Sequence, residues 1–488
     1  MNDMLELLAS LGNAALHMLA SLGNAALHML AQPFYYIALL FIGLYFRRQT
    51  LLERRLIHVK LHSWGREIWR AIWTGLAAGI LVSLAAVLLG VSVTGPAVVC
   101  IWVVSLVLLL FRVRYFCFAY SIGLLGVIQF VLSFFPGFLP GGLGGEAVTA
   151  VRGMDIPALL ALAAILHVVE ALLARWQGPA LATPLFLEGK RGRVVGGYRM
   201  EAFWPLPLFL LVPAGAGVGV LPWPTLLGGG LGLVSLPVVI GFSQLTTGML
   251  PQSKAARASR RLLLCGAVLL GLALLAARYS PLTLLAALAA LLLHEGLVWY
   301  GALEERRSSP FFVHPPHGLK VLAVLPGSPA QELGILPGEI LLKVNGEALT
   351  GKAQQLHEAL RKSPAFCKLE VQNAAGESKY LQRAIYDGDH HLLGVILAPQ
   401  PDEYTTAPEK PAGIVGIALM KTGARRRPAG ASALPSQMET TAAQEIAAAQ
   451  EVAAAQETAT AREAAATLPG PGTPGPLSGS GRAKSAKR

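Results

Sequence analysis

Two His/Glu pairs lie inside long apolar runs of the sequence, where ionisable side chains are costly and are candidates for function. His167 is followed by Glu170, and His294 is followed directly by Glu295. A membrane zinc protease needs two histidines one helical turn apart with a glutamate beside them, in the pattern HExxH. Neither pair supplies the second histidine. Hydrogen bonding between helices is therefore the favoured interpretation, and a proton or solute path is the alternative.

A second polar cluster lies nearer the C-terminus, and its spacing is irregular. Its members are Asp387, Asp389, His390 and His391, with His314 and His317 upstream. The spacing favours a polar turn and a stiff Pro-containing linker over a metal site, and a peptide-facing role is the alternative. The four cysteines show no CxxC or zinc spacing. We predict no catalytic residue, no metal and no cofactor.

The composition indicates where these residues are held. Of the 488 residues, 54% are hydrophobic and only 14% are charged, and the mean hydropathy is +0.54. Soluble domains carry about 25% charged residues. The chain is therefore predicted to be an integral membrane protein, which excludes a cytosolic enzyme or a disordered chain as the whole answer.

The fold class predicted is a polytopic α-helical membrane region, followed by a small α+β domain and a disordered tail. Apolar runs of about the length that approaches or crosses a bilayer core predict eight or nine spans. They lie near residues 33–46, 71–92, 96–111, 115–135, 156–174, 203–221, 224–242, 262–277 and 281–300. A transporter is an alternative, because Gly228–Gly230 and Pro237 could break a span near its midplane.

Basic residues are distributed very unequally between alternate loops. If the loop after the first span is inside, the inside loops carry 20 Lys and Arg and the opposite loops carry two, Arg152 and Arg278. This bias places everything after residue 300 in the cytoplasm. Residues 1–300 contribute +10 of the net charge of +12, so the excess is assigned to topology and to anionic lipid at the cytoplasmic loops rather than to nucleic acid.

Shifts in composition divide the chain into five segments. The tandem repeat LASLGNAALHM at 8–18 and 19–29 predicts an amphipathic helix before the first span, and balanced charge with regular turn signals predicts a compact domain after residue 316. The Pro/Ala/Gly-rich C-terminus predicts disorder. The segments are an N-terminal helix at 1–32, the membrane region at 33–300, a linker at 301–315, the compact domain at 316–399 and the tail at 400–488.

The segment GLKVLAVLPGSPAQELGILPGEILLKVNGEAL, residues 318–349, resembles bacterial PDZ domains. Gly334 suits a left-handed helix end, and Asn345-Gly346 suits a tight turn with positive φ. PDZ domains bind extended peptides by adding a strand to a sheet edge beside a helix. The resemblance therefore implies an edge strand at 391–397 and a groove helix at 353–362.

The resemblance also implies which residues would contact a peptide. Four of them, on the edge strand, would offer backbone N–H groups: Leu393, Gly394, Val395 and Ile396. Leu356 and Leu360, one helical turn apart, would line the side-chain pocket. The alternative for these two leucines is that they fill the domain core.

Several further segments resemble the MinJ family of cell-division topological determinants of Gram-positive bacteria. They are PFYYIALLFIGLYFRR (33–48), KRGRVVGGYRMEAFWPLPLF (190–209), HPPHGLKVLAVLPGSPA (314–330), and AFCKLEV with AIYDGDHHLLGVILAP (365–399). The resemblance implies a non-enzymatic membrane adaptor at septum and poles, with a DivIVA-like polar scaffold and a MinD-like ATPase as partners. Self-association into a homo-oligomer stays open. The rival hypotheses are a PDZ-containing intramembrane protease and a PDZ-regulated transporter.

Overall fold

The computed structural model describes most of the chain before residue 400. The residues described are 23–27, 29–57, 61–189, 193–212, 232–362, 366–384 and 393–399. Most of the N-terminal repeat, the segment 213–231 with Gly228–Gly230, the cluster at 387–391 and the whole tail lie outside these residues. The interpretations given for them stay predictions.

Long helices build most of the region before residue 308. They are α1 (Pro33–Ile57), α2 (Trp64–Leu88), α3 (Gly95–Phe111), α4 (Phe118–Ser133), α5 (Leu143–Arg152), α6 (Ile156–Gln177), α7 (Pro251–Arg278) and α8 (Leu282–Arg307). By length and composition, α2, α6, α7 and α8 are the described helices that could each cross a membrane, and α1 with the helical residues before it forms a bent fifth candidate. The helices α3 and α4 are apolar but shorter. Eight or nine spans are therefore not confirmed.

Helical spans at 203–221 and 224–242 are wrong, because the described residues of both runs are β-strand. Strands β2 (Val194–Val212) and β3 (Gly232–Thr246) pair antiparallel, and β1 (Ala182–Glu188) pairs with the first part of β2. A buried strand and a buried helix both appear in a sequence as an uninterrupted apolar run. The prolines within both runs were the available signal, since proline disrupts a helix interior but is tolerated at a strand edge.

The outer edge of β2 is covered by α2 through a row of small residues spaced four apart. The facing pairs are Gly75 with Pro205, Gly79 with Pro207, and Ser83 with Phe209. Four helical residues rise about 6 Å and two strand residues about 6.6 Å, so the two spacings nearly coincide. A Cβ atom at the first glycine would lie 2.2 Å from the Pro205 carbonyl oxygen, and one at the second would lie 2.5 Å from that of Pro207.

Where α2 covers β2, the edge from Pro205 to Phe209 has no unpaired N–H group. Both prolines lack an N–H group, and the next N–H along that edge, from Phe209, donates to Ser83 Oγ at 2.9 Å. The hairpin is otherwise buried against the helices, with Trp204 Nε1 donating to Gln177 Oε1 at 3.0 Å. Most of the described hairpin is thus enclosed by protein, which is the condition under which non-helical backbone is tolerated at membrane depth.

A buried ionic cluster joins α7, α8 and the end of β3. Lys254, with its side chain 2% exposed, lies 3.4 Å from Glu304 Oε2 and 3.2 Å from Glu305 Oε2. Glu305 Oε1 also accepts hydrogen bonds from the backbone N–H groups of Thr247 and Gly248. One carboxylate therefore neutralises the buried ammonium and also caps the turn that follows the hairpin.

The segment after residue 318 folds as an antiparallel sheet with two helices. The strands are β4 (Leu319–Val324), β5 (Ile340–Val344), β6 (Glu347–Ala348), β7 (Phe366–Gln372), β8 (Ser378–Ala384) and β9 (Val395–Leu397), and the helices are α9 (Pro329–Glu332) and α10 (Ala353–Lys362). The sheet order is β8-β7-β5-β4-β9, with β6 beside β5. The groove helix predicted at 353–362 coincides with α10, and β9 lies within the edge strand predicted at 391–397.

The small domain is attached to the base of the hairpin by the linker that precedes it. Gly196 N–H donates to the Phe312 carbonyl at 3.0 Å, and Phe311 N–H donates to the Thr247 carbonyl at 2.8 Å. The fully buried Phe312 ring packs on Tyr198, whose hydroxyl donates to the Leu322 carbonyl. The strand β2 thus runs without interruption from the enclosed hairpin to the surface that holds the domain.

His62, which lies just before α2, forms hydrogen bonds to α1 and to the segment before β1. His62 Nδ1 lies 2.6 Å from Glu53 Oε1, and His62 Nε2 lies 2.9 Å from the Ala180 carbonyl. Burial lowers the pKa of His62, but the hydrogen bond and the charge of the fully buried Glu53 outweigh it, so the pKa is raised from its ordinary value.

This raised pKa predicts a pH-dependent stability. Because the folded protein holds the proton more tightly, the extra stability is fully present below about pH 6.5 and is lost as the pH rises through the folded pKa. The melting temperature in detergent should therefore fall between about pH 6 and about pH 9, and it should fall less in His62→Gln. The exposed His357→Gln is the control. Equal pH slopes in wild type and His62→Gln would contradict the assignment.

Candidate functional site

The open edge of the small sheet is formed by β9, where the sequence predicted it. Residues Val395 to Leu397 pair with β4, and the described part of the chain places no strand on the other side. The Gly394 carbonyl accepts from Leu325 N–H, and Ala398 N–H donates to the Lys320 carbonyl, both at 2.8 Å. Because backbone groups alternate along a strand, those of Val395 and Leu397 face the open side.

The residue before β9 has a conformation that few residues other than glycine adopt. Gly394 has φ +80°, and a Cβ atom there would lie 2.2 Å from the Ser328 side chain. The neighbouring Leu393 carbonyl accepts from Ala330 N–H at 2.9 Å. The loop that would receive a peptide carboxylate is therefore held by the start of α9. His391, the first residue of the predicted edge segment, lies outside the described residues.

The two leucines predicted to line a pocket on α10 are buried. Leu356 is 1% exposed and Leu360 is 5% exposed, and both belong to the domain core together with Leu393. Val395 and Leu397 pack against the same core, so α10 and β9 both border it. The structure therefore favours a core role for the two leucines, and contact with a peptide stays a prediction.

Ile396 has different surroundings from its neighbours on β9. Its side chain packs with Leu322, Phe312 and Tyr198 at the base of the membrane hairpin. Nearby, Lys320 Nζ donates to the Phe311 carbonyl at 2.8 Å, and burial lowers the pKa of this lysine. One face of β9 therefore packs on the core of the small domain, and the other face packs against the base of the hairpin.

The two His/Glu pairs inside the apolar helices meet in space. His167 Nε2 lies 3.1 Å from His294 Nδ1, so the predicted hydrogen bond between helices is present. Glu295 accepts from Tyr120 at 3.0 Å and pairs with Arg114 at 3.1 Å. Each His/Glu pair lacks a second histidine in its own helix, and the packing of the helices brings one from the other pair.

Sequence reasoning missed one member of this cluster. Cys117 Sγ lies 3.8 Å from His294 Nδ1, at the N-terminus of α4. The cysteine and the two histidines come from three helices far apart in the sequence, so no spacing rule connects them. Of the other polar cluster, only His314 and His317 are described, and His314 Nδ1 accepts from Lys320 N–H at 3.4 Å.

Comparison with known proteins gives a match for the small domain and matches that cover most of the chain. A family model for the PDZ domain matches residues 320–373. The cell division topological determinant MinJ of Bacillus subtilis (strain 168) is 28% identical over 357 residues, which is 72% of this chain and 88% of that protein. The probable MinJ determinant of Lacticaseibacillus paracasei is 29% identical over 364 residues, 71% of this chain and 90% of its own length.

These matches confirm the resemblance that the sequence motifs indicated. The apolar helices fit a membrane protein, and the matched segment coincides with strands β4 to β7 of the small domain. The curated relatives are named as determinants of cell division rather than as enzymes. The chain therefore carries a PDZ domain, and over most of its length it is similar to the MinJ cell-division topological determinants.

Proposed function

We propose that this protein is a non-enzymatic membrane scaffold of cell division, which binds partner proteins by strand addition at β9. The observation that carries the proposal is the open edge of β9, directly after the Gly394 loop. Outward N–H and C=O groups on such an edge can hydrogen-bond to an extended peptide. The relatives' name, which describes a division determinant, supports this role.

The unequal distribution of basic residues between alternate loops supports a cytoplasmic PDZ domain. The hairpin β2–β3 replaces two predicted spans, and a hairpin returns the chain to the side that it left, just as two spans do. The basic loops therefore stay on one side of the membrane, and the positive-inside rule still assigns that side to the cytoplasm. We propose that the same loops contact anionic lipid.

The MinJ resemblance suggests the identity of the partners. We propose a DivIVA-like polar scaffold and a MinD-like ATPase as partners at septum and poles, together with self-association into a homo-oligomer. Confining both partners to one membrane surface raises their effective concentration, so a modest affinity at β9 suffices.

A proline in β9 tests the proposal. Val395→Pro removes an outward-facing N–H group without removing a bond to β4. In cells, proximity labelling from a tag after residue 400 should then lose at least one division protein by about tenfold or more. The full-length variant should be as abundant as wild type and melt within a few degrees of it.

The control for this experiment is Tyr380→Ala on β8, an exposed residue at the opposite edge of the same sheet. It should leave the labelling pattern unchanged. If Val395→Pro keeps every labelled partner and septal localisation, strand addition at β9 is wrong.

A further inference from the structure

We propose that Cys117, His167 and His294 bind a divalent transition metal of the zinc class, which links α4, α6 and α8. Their ligand atoms (one sulfur and two ring nitrogens) all lie within 4.8 Å of one another. Mixed thiolate and imidazole ligands favour zinc and similar borderline metals over calcium or magnesium. The site is separate from the PDZ edge and does not depend on the function proposed above.

Two of the three separations between the ligand atoms fit a tetrahedral site. With metal–nitrogen and metal–sulfur bonds near 2.0 and 2.3 Å, tetrahedral geometry places two nitrogens about 3.3 Å apart and a nitrogen and a sulfur about 3.6 Å apart. The observed His167–His294 and Cys117–His294 distances are 3.1 and 3.8 Å. The third separation, between the Cys117 sulfur and the ligand nitrogen of His167, is at most 4.8 Å. A metal ion would therefore have to draw this pair together by up to about 1.2 Å to complete the geometry.

One histidine is already oriented as metal-binding histidines usually are. His167 Nδ1 lies 2.7 Å from the Ala163 carbonyl, which accepts a hydrogen bond from that nitrogen. The proton is therefore on Nδ1, and Nε2 presents its lone pair to the cluster. Metal-ligating histidines almost always donate their second nitrogen to a carbonyl or carboxylate, which fixes the tautomer.

A second observation is an unpaired acid beside the cluster. Glu170, one helical turn after His167, is 6% exposed and has no hydrogen-bond or ion-pair partner among the described residues. It lines a cavity of about 20 Å³ together with Cys117 and His167. That volume holds one water molecule or one ion.

Charge balance explains why such an acid would be placed there. A buried, unpaired carboxylate is costly, and so is an uncompensated metal ion among apolar helices. A divalent cation, the Cys117 thiolate and the Glu170 carboxylate sum to zero charge, with both histidines neutral. Glu170 then acts as the counter-charge at the cavity wall, and a water molecule in the cavity supplies a fourth ligand.

Cobalt(II) provides a direct optical test on the full chain, purified in detergent without a histidine tag and freed of metal with a chelator. We expect wild type to bind one Co²⁺ per chain, with tetrahedral visible bands and a thiolate-to-cobalt charge-transfer band. Cys117→Ser should lose the charge-transfer band, and His294→Ala should weaken binding about tenfold or more. Cys100→Ser, a cysteine on α3 outside the cluster, should titrate as wild type does.

A wild-type protein without the charge-transfer band, or a band that survives Cys117→Ser, would overturn the proposal. X-ray absorption of the zinc-loaded wild type needs no variant and is therefore independent of folding defects. It should show one sulfur among the metal's nearest neighbours. A shell of oxygen and nitrogen alone would show that the cluster is only a hydrogen-bonded contact.

Discussion

Replacing Gly75 or Gly79 with alanine should destabilise the membrane region by at least about 3 kcal/mol, the upper end of the range for overpacking. The added Cβ would lie 2.2 or 2.5 Å from a carbonyl oxygen of β2, and backbone cannot rotate away as a side chain can. The whole of α2 would have to move outward, which would also separate Ser83 from the Phe209 N–H. Melting temperature in detergent and abundance in membranes both measure the loss.

The matched control is Gly271→Ala on α7. That glycine is exposed, and nothing lies within 4 Å of its added Cβ. Because alanine favours a helix over glycine by about 0.5–1 kcal/mol, this variant should be as stable as wild type or slightly more so. If the alanine variants at positions 75 and 271 melt at the same temperature, the close contact between α2 and β2 does not exist.

Replacing Phe312 with alanine should loosen the attachment of the PDZ domain. Truncating a fully buried phenylalanine costs about 3–5 kcal/mol, and Phe312 packs between Tyr198 and Leu322 rather than in the PDZ core. The domain itself should stay folded. Limited trypsin digestion at Arg306 and Arg307, in the last turn of α8, should become about tenfold faster or more, because local opening now costs less.

Phe366→Ala is the control for this variant. Phe366 lies in the same domain but is 45% exposed on β7, so its removal should leave the linker as resistant to trypsin as in wild type. Equal cleavage rates for the two variants would mean that the linker does not hold the domain to the hairpin.

The sequence predicted the PDZ domain well because its signals are local. Turn residues such as Asn345-Gly346 and the Gly334 helix end fix where strands stop, and both glycines have positive φ as expected. The positions of the long helices were also predicted well where a long apolar run by itself indicates a helix. The hairpin was not, because most of its described residues are buried and its apolar runs lack the alternation that marks a half-exposed strand.

The cluster of Cys117, His167 and His294 could not have been predicted in the same way. The sequence indicates both histidines as candidates, because polar residues are conspicuous in apolar helices. Their proximity depends on how α4, α6 and α8 pack, and this packing is set by small residues such as Gly123 and Gly126 against α8. One sequence holds no information on which of several apolar helix faces meet.

The contact between Ile396, Leu322 and Phe312 determines what can be produced as a recombinant fragment. A fragment that starts at residue 316 lacks both Phe312 and Tyr198, so the Leu322 side chain, fully buried in the intact chain, becomes accessible to solvent. Contiguous apolar surface of this kind promotes aggregation. Solubility and crystallisation of the isolated module would therefore benefit from a polar residue at position 322 or 396, and its behaviour in solution would not represent the domain on its membrane support.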